Sequence, residues 1–474
     1  MDWDVVRHKL KQVWGYDDFR SPQSEVIASI LERRDSLVIL ATGAGKSICF
    51  QLPALLQSGL TLVISPLLAL MEDQVQDLRR RGLPAATLHS SLSLQQKREV
   101  MQQLGKLRLL YISPESLLSK PVWERLSDRS LPISGLMLDE AHCLVQWGET
   151  FRPAYRRLGA VRAALIANKP AEHGRISIAA FTATADVQTQ TELQTCLQLD
   201  HPQVIHTSPY RANLSLNVSI AWTPASRKSQ ALKFIHSFNG QSGLIYVRSR
   251  RETEELAAWL RDRSFATAAY HAGLPSIERR EIEQKWLNGI YPFAICTSAF
   301  GLGINKPNVR WVLHFHSPLT LSEYIQEVGR AGRDGSQSKA LMLVSEPTGW
   351  LDHSDRQRQD FFIQQQQKLW QKAQTLIPKF PRRGNCAEVS KLDPDAPIAL
   401  GLLHSAGYLI WRTPFEYEIK VGKFQLPDIN TTSIEQMQDF INTRQCRWAF
   451  LLGEFGFESE AKNLKCGICD RCMK

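Results

Sequence analysis

"LVILATGAGKSICFQLPALL", residues Leu37 to Leu56, decides the fold. The apolar run Leu37-Val38-Ile39-Leu40 reads as a buried strand, and the stretch after Lys46 reads as a helix. Between them stands the turn Thr42-Gly43-Ala44-Gly45-Lys46-Ser47. A glycine-rich turn lets backbone N–H groups converge on an anion, and the helix N-terminus adds the positive end of its dipole. In that geometry Lys46 reaches the β- and γ-phosphates of a nucleotide and the Ser47 hydroxyl ligates Mg²⁺. Leu40 occupies the place of the first glycine in the broader G-x-x-x-x-G-K-S pattern, so the form here is the shorter T-G-x-G-K-S. The alternative, a chance glycine-rich turn, loses to the strand before it and the helix after it.

Similar apolar runs alternate with amphipathic stretches on either side. Ser36–Leu40, Thr61–Ser65, Arg108–Ser113, Gly135–Asp139 and Ile176–Thr182 read as strands of one parallel sheet. The rhythm restarts with Ser242–Val247, Ala266–His271, Phe293–Ser298, Trp311–Phe315 and Ala340–Val344. One intervening helix, "SRRETEELAAWLRDR", opens on the N-cap candidate Ser249 and carries Leu256, Trp259 and Leu260 on one face. From Gly349 the strand rhythm stops. "QRQDFFIQQQQKLWQKAQ" reads as helix, "PKFPRRGN" as loop, and the stretch from Ala396 as a helix ended by Gly407 and followed by a β-hairpin. The expected architecture is α/β, with two tandem parallel-sheet domains (1–205 and 206–348). A small, mainly helical C-terminal module (349–474) follows.

"GLMLDEAHCLVQWGETF", residues Gly135 to Phe151, ends a strand in Asp139, Glu140 and His142. An acid at the tip of a core strand holds Mg²⁺ in phosphate-loop enzymes, which suits Asp139. Glu140 suits polarisation of the attacking water, and His142 suits sensing of the γ-phosphate region. By themselves these residues equally describe a solvated strand end; the upstream phosphate loop removes that reading. "QEVGRAGRDG" places Arg330 and Arg333 on one face if the segment is helical. Arginines supplied by a second domain neutralise charge on a transferring phosphoryl group. "AFGLGINKP", just upstream, reads as a second glycine-rich site.

The chain has 474 residues, room for roughly three domains of about 100–200 residues. No apolar run approaches the roughly 18 residues of a membrane helix. The N-terminus mixes acids with apolar residues at helical spacing, unlike a targeting peptide. A soluble, cytoplasmic protein without a membrane partner is expected, nucleoid-associated if prokaryotic. The net charge of +10 leans toward a polyanionic partner or describes a merely basic protein. Cys49, Cys143, Cys196, Cys296 and Cys386 are isolated. Cys446, Cys466, Cys469 and Cys472 combine two overlapping C-x-x-C units with one distant cysteine, the pattern of a four-thiolate zinc site. A redox pair is the rival, and three cysteines so close together argue against it.

With these residues in place, the chain resembles the RecQ family of superfamily 2 DNA helicases from roughly Tyr16 to Gly335 and at its terminal cysteines. "GYDDFRSPQSEVI" is similar to the family's adenine-recognition motif, which implies base contacts for Tyr16 and Arg20 and a hydrogen bond from Gln23 to the adenine edge. "VISPLLALMEDQV", "YISPESL", "FTATA" and "SPYRANL" resemble further motifs. "SGLIYVRSRRETEELA", "YHAGL", "TSAFGLGINKPNVRWVLHF" and "YIQEVGRAGRDG" resemble those of the second domain. The family hangs a DNA-sensing, aromatic-rich loop on its acid pair; here that loop is "VQWGETFRPAY", with Trp147, Phe151, Arg152 and Tyr155. Aromatics stack on bases without sequence preference. Glu149 and Thr150 stand where the family usually has histidine and aspartate. The family's winged helix normally follows the zinc module, often with a helicase-and-RNase-D-like domain after it. With Cys472 two residues from the end, neither is expected here. The segment 396–424 reads either as a wing-like insertion or as plain core packing.

The resemblance implies two tandem RecA-like parallel-sheet domains and a zinc-binding C-terminal module. It further implies an ATP- and Mg²⁺-dependent helicase, moving 3′-to-5′ on single-stranded DNA and opening forked or junction duplexes in repair or recombination. Two alternatives stay open: a superfamily 2 enzyme acting on RNA, and a non-catalytic DNA-binding scaffold.

Overall fold

The structure, a computed structural model, describes residues 1–41, 43–148, 152–170, 174–300, 306–420 and 431–473, with Trp147 by its backbone alone. Its strands are β1 Ser36–Ile39, β2 Leu60–Ile64, β3 Ala85–Leu88, β4 Leu109–Ile112, β5 Ile133–Leu138, β6 Ser177–Thr182 and β7 Gln203–His206. They continue with β8 Leu214–Ala221, β9 Gly243–Tyr246, β10 Thr267–Tyr270, β11 Phe293–Cys296, β12 Trp311–His314 and β13 Ser338–Ser345. Two compact units result: Met1–Thr207 with Gln366–Ile429, and Ser208–Gln365 with Asn430–Lys474.

The first unit holds a parallel sheet in the order β3-β4-β2-β5-β6-β1-β7. Its central strands are buried on both faces, which is why they read as unbroken apolar runs. Alternate side chains divide between two cores: Leu37, Leu62, Leu136 and Ile178 enter one, and Val38, Val63, Met137 and Ala179 the other. The second unit repeats the plan in the order β10-β11-β9-β12-β13-β8, again all parallel. The sequence patterns miss β3, β7 and β8, and all three are edge strands. "QVIH" of β7 and the alternating "LSLNVSIA" of β8 carry polar residues because an edge is less completely covered. The expected cap on the helix Arg250–Arg261 is present, Ser249 accepting from the Glu252 N–H at 3.1 Å.

The stretch 349–474, expected as one C-terminal module, is divided. The helix Ser354–Leu376 leads to β14 Arg383–Asn385, the helix Ala396–Ser405 and a hairpin, β15 Leu409–Trp411 and β16 Glu416–Ile419. These strands form an antiparallel sheet, β14-β16-β15, over a core that includes Leu400, Leu403, Trp411 and Tyr417. Ala160 belongs to that core, so this part joins the first unit. The cysteine tail instead packs on β8: Trp448 donates to the Leu214 carbonyl at 2.9 Å and Ser215 to the Ile468 carbonyl at 2.5 Å. It thereby covers the edge of the second sheet. No described helix is long and apolar enough to cross a membrane.

Candidate nucleotide site and metal centre

β5, β6 and β1 are adjacent and parallel, so their C-terminal ends open on one rim. There Gly43–Ser47 follows β1, Asp139–His142 follows β5, and Thr182–Thr184 closes β6. Crevices beyond the carboxyl ends of strands are where open α/β sheets bind ligands. Gly43 (φ 90°) and Gly45 (φ 80°) take the left-handed conformation that lets the chain turn back into the helix Lys46–Leu56. Lys46 Nζ lies 3.7 Å from Glu140 Oε1, joining the phosphate loop to the acid pair. Thr42 lies outside the described residues.

Glu140 has φ 49°, a strained value for a side-chain-bearing residue. Backbone bonds hold it on both sides: Asp139 N–H to Ile64 O at 2.9 Å and Ala141 N–H to Phe181 O at 2.8 Å. Burial, with the charge of Glu140 beside it, pushes the Asp139 carboxyl up to about 6 against the opposing pull of Lys46. Divalent metal would meet there a carboxylate already costly to leave unpaired. His142 is buried, which lowers its pKa and keeps the ring neutral. Its Nδ1 lies 3.0 Å from the Thr182 hydroxyl. That threonine was not singled out from the sequence, although "FTATA" carried the signal.

The three adenine-motif residues fare differently. Tyr16 is half exposed and Arg20 exposed beside the turn that follows Gly15. Gln23 is buried: its Nε2 donates to the Ala44 carbonyl at 2.9 Å, and its Oε1 accepts from the Arg20 N–H at 3.0 Å. Its amide braces the phosphate loop.

In the aromatic-rich loop, the Trp147 side chain and Phe151 fall outside the described residues. Arg152 donates to both Glu115 oxygens, at 2.8 and 2.5 Å, and to the Pro66 carbonyl at 2.6 Å. Tyr155 is 1% exposed and packs in the core of the first sheet, so the expectation of a base-stacking surface there is corrected.

In the second unit, the helix Leu321–Val328 ends before the arginines, which lie on the turn that follows rather than on a helical face. Arg330 is buried and lines a small cavity with Arg333, Lys306, Trp286 and Phe300. Burial pulls the Arg333 guanidinium down to about 10, and the like charge of Arg330 adds to the shift. Residues 301–305 of the second glycine-rich stretch lie outside the described residues.

Cys446, Cys466, Cys469 and Cys472 bring their Sγ atoms within 4.8 Å of one another. The Cys466–Cys472 and Cys469–Cys446 separations are 3.9 and 4.0 Å. Zinc–sulfur bonds of about 2.3 Å in a tetrahedron require sulfurs about 3.8 Å apart, so the donor set fits zinc. Arg447 pairs with Asp470 through two contacts of 2.9 Å and fixes the turn between Cys469 and Cys472.

Comparison with known proteins agrees with this geometry. A DEAD/DEAH box helicase domain matches residues 20–193, a helicase conserved C-terminal domain 227–335, and a RecQ zinc-binding domain 422–473. The chain is 50% identical over 476 residues to an ATP-dependent DNA helicase RecQ of Synechocystis sp., covering 100% of this chain and 99% of that one. It is 40% identical over 346 residues to an ATP-dependent DNA helicase RecQ of Haemophilus influenzae, covering 72% of this chain and 54% of that one. Its fold is similar to Mycobacterium smegmatis helicase Lhr bound to single-stranded DNA and AMP-PNP (TM-score 0.56, 19% identity, 72% of this chain and 47% of that one). It is also similar to S. cerevisiae Dbp5 bound to RNA and ADP BeF3 (TM-score 0.58, 14% identity, 74% and 90%). The chain belongs to the RecQ family of ATP-dependent DNA helicases.

Proposed function

We propose that this protein couples ATP hydrolysis to 3′-to-5′ movement on single-stranded DNA and to duplex unwinding, in DNA repair or recombination. The observation that carries this reading is the approach of Lys46 to Glu140 on a rim shared with Asp139 and His142. Residues 43–47 cradle the phosphates through backbone N–H groups, and Lys46 neutralises the β/γ charge. Ser47 and Asp139 hold Mg²⁺, which supplies further charge neutralisation when bound. Glu140 orients the attacking water. Domain 1 covers 1–205 and domain 2 covers 206–348, the latter supplying Arg330 and Arg333 to the transferring phosphoryl group. Tyr16 and Arg20 flank the base, while Trp147, Phe151 and Arg152 form the loop that senses single-stranded DNA. Cys446, Cys466, Cys469 and Cys472 hold a structural zinc. The protein works in the cytoplasm, on nucleoid DNA if its source is prokaryotic.

The test pairs ATPase rates in single-stranded DNA and in RNA with unwinding of 3′- and 5′-tailed duplexes, forks and four-way junctions. Stimulation by DNA and opening of 3′-tailed substrates are expected. Stronger stimulation by RNA, or no ATP hydrolysis at all, would overturn the proposal.

A further inference from the structure

The helix Ala396–Ser405 carries a buried glycine, Gly401, in its interior. Glycine there weakens a helix, so a close backbone approach is the expected reason. The approach is visible. A Cβ built on Gly401 would stand 3.0 Å from the Gly148 carbonyl, 3.8 Å from Pro153 Cβ and 3.9 Å from Arg156 Cγ. Gly148 is equally tight: a Cβ there would meet Arg156 Nε at 2.9 Å. The Arg156 stem therefore lies against both glycines, and its guanidinium reaches Glu192 at 2.5 Å.

These contacts fall on both ends of the aromatic-rich loop. Gly148 is the last residue of the helix Cys143–Gly148, which is tied directly to the acid pair. Cys143 N–H donates to Glu140 O at 3.0 Å, and Val145 and Gln146 N–H both donate to His142 O at 3.1 Å. Pro153 and Arg156 begin the return segment. The neighbouring hairpin adds anchorage, with Arg157 donating to the Pro414 carbonyl at 3.3 Å and Phe415 packing edge-on against Trp123, centroids 5.2 Å apart.

We propose that the helix Ala396–Ser405, through Gly401, is the positioning element of this loop, holding its two ends in the register that relays DNA occupancy to Glu140 and His142. The inference rests on the reading of the loop as a DNA sensor given above. Gly401 touches no nucleotide and no DNA in this role; it acts through Gly148.

The experiment measures basal and DNA-stimulated ATPase, and the DNA concentration for half-stimulation, in the full chain. The variants are Gly401→Ala, Gly401→Val, Leu400→Ala and Trp147→Ala, each with a melting curve, at a temperature below every transition. Leu400 lies in the core of the β14–β16 module, so its truncation loosens that module by another route. Gly401→Val is expected to cut the stimulated-to-basal ratio by about ten-fold or more, since small misplacements cost large factors in rate. Basal rate and half-stimulating DNA concentration should stay within about three-fold, because phosphate contacts supply most DNA affinity. Gly401→Ala should fall between Gly401→Val and the parent. If Leu400→Ala, on the same helix, lowers the ratio as much as Gly401→Val, the ratio follows general loosening of the helix rather than the close approach at Gly401, and the assignment to Gly401 is overturned. It is overturned alone if Trp147→Ala lowers the ratio and Gly401→Val does not. If neither lowers it, the sensor reading fails and takes this inference with it.

Discussion

His142 Nδ1 faces the Thr182 hydroxyl at 3.0 Å, and that hydroxyl donates onward to the Thr184 carbonyl at 3.0 Å. The hydroxyl's proton is thus spent, so Nδ1 of the neutral ring must be the donor. One threonine fixes the tautomer. Thr182→Val, of similar shape, leaves Nδ1 only the more distant Glu140 Oε2, at 3.5 Å, a change of about 1–3 kcal/mol. Turnover should fall about 10- to 100-fold with ATP affinity nearly unchanged, and Thr182→Ser should restore it. Steady-state kcat and KM for the two variants check this.

Lys46 and Arg333 have separate roles toward the nucleotide in the proposed mechanism. Lys46→Ala should abolish turnover and weaken nucleotide binding. Arg333→Ala should keep binding and lower turnover by about 10³-fold or more, as loss of an arginine finger does. Parent-like hydrolysis by Arg333→Ala would remove the second unit from catalysis.

Trp147 follows the acid pair on the helix Cys143–Gly148. Trp147→Ala should lower DNA-stimulated hydrolysis and unwinding together, while much DNA affinity persists through phosphate contacts. Unchanged stimulation, or a large fall in melting temperature with loss of basal activity, would make it a core residue instead.

Metal analysis should find about one zinc per chain, lost in Cys469→Ser, because structural zinc contributes folding free energy directly. Cys469 is fully buried and shares a core with Trp448 and the second sheet. Destabilisation should therefore reach the whole second unit, read by the melting curve. Reduced protein without zinc would sink the assignment.

His316 is clamped between Glu252, at 2.5 Å, and Asp355, at 3.3 Å. Burial opposes its charge, yet the bonds to Asp355 and Glu252 prevail and raise its pKa. Burial likewise opposes the Asp355 carboxylate, but His316 and Arg227 hold it at about 2. The imidazolium's contribution is complete below its unfolded pKa of about 6.5 and is lost as pH rises through the folded value. The carboxylates' contribution is present above about 4 and is lost as pH falls. His316→Gln should therefore cost about 2–4 kcal/mol near pH 6 and clearly less near pH 9. Urea unfolding at the two pH values measures the difference.

Much of the fold is legible because the decisive signals are local. A buried strand, a glycine turn and a helix lie within Leu37–Leu56, and a parallel sheet makes each of its central strands apolar on both faces. The acids at Asp139 and Glu140 and the spacing of Cys466, Cys469 and Cys472 are equally local. The edge strands β7 and β8 escape because incomplete burial leaves them no apolar run, and β3 because its four residues, Ala85 to Leu88, are mostly small although buried. Tyr155 shows the converse: an aromatic in a loop motif looks the same whether it meets a base or a core.

The sequence by itself determined the two parallel sheets, the phosphate loop and the cysteine cluster, since neighbouring residues and backbone periodicity encode them. Only the tertiary structure decided that Gln23 braces the phosphate loop and that Thr182 sets the His142 tautomer. It also decided that 349–474 divides between two cores and that Gly401 meets Gly148. Those contacts join residues far apart in the chain, and their partners are chosen by packing, which no local pattern records.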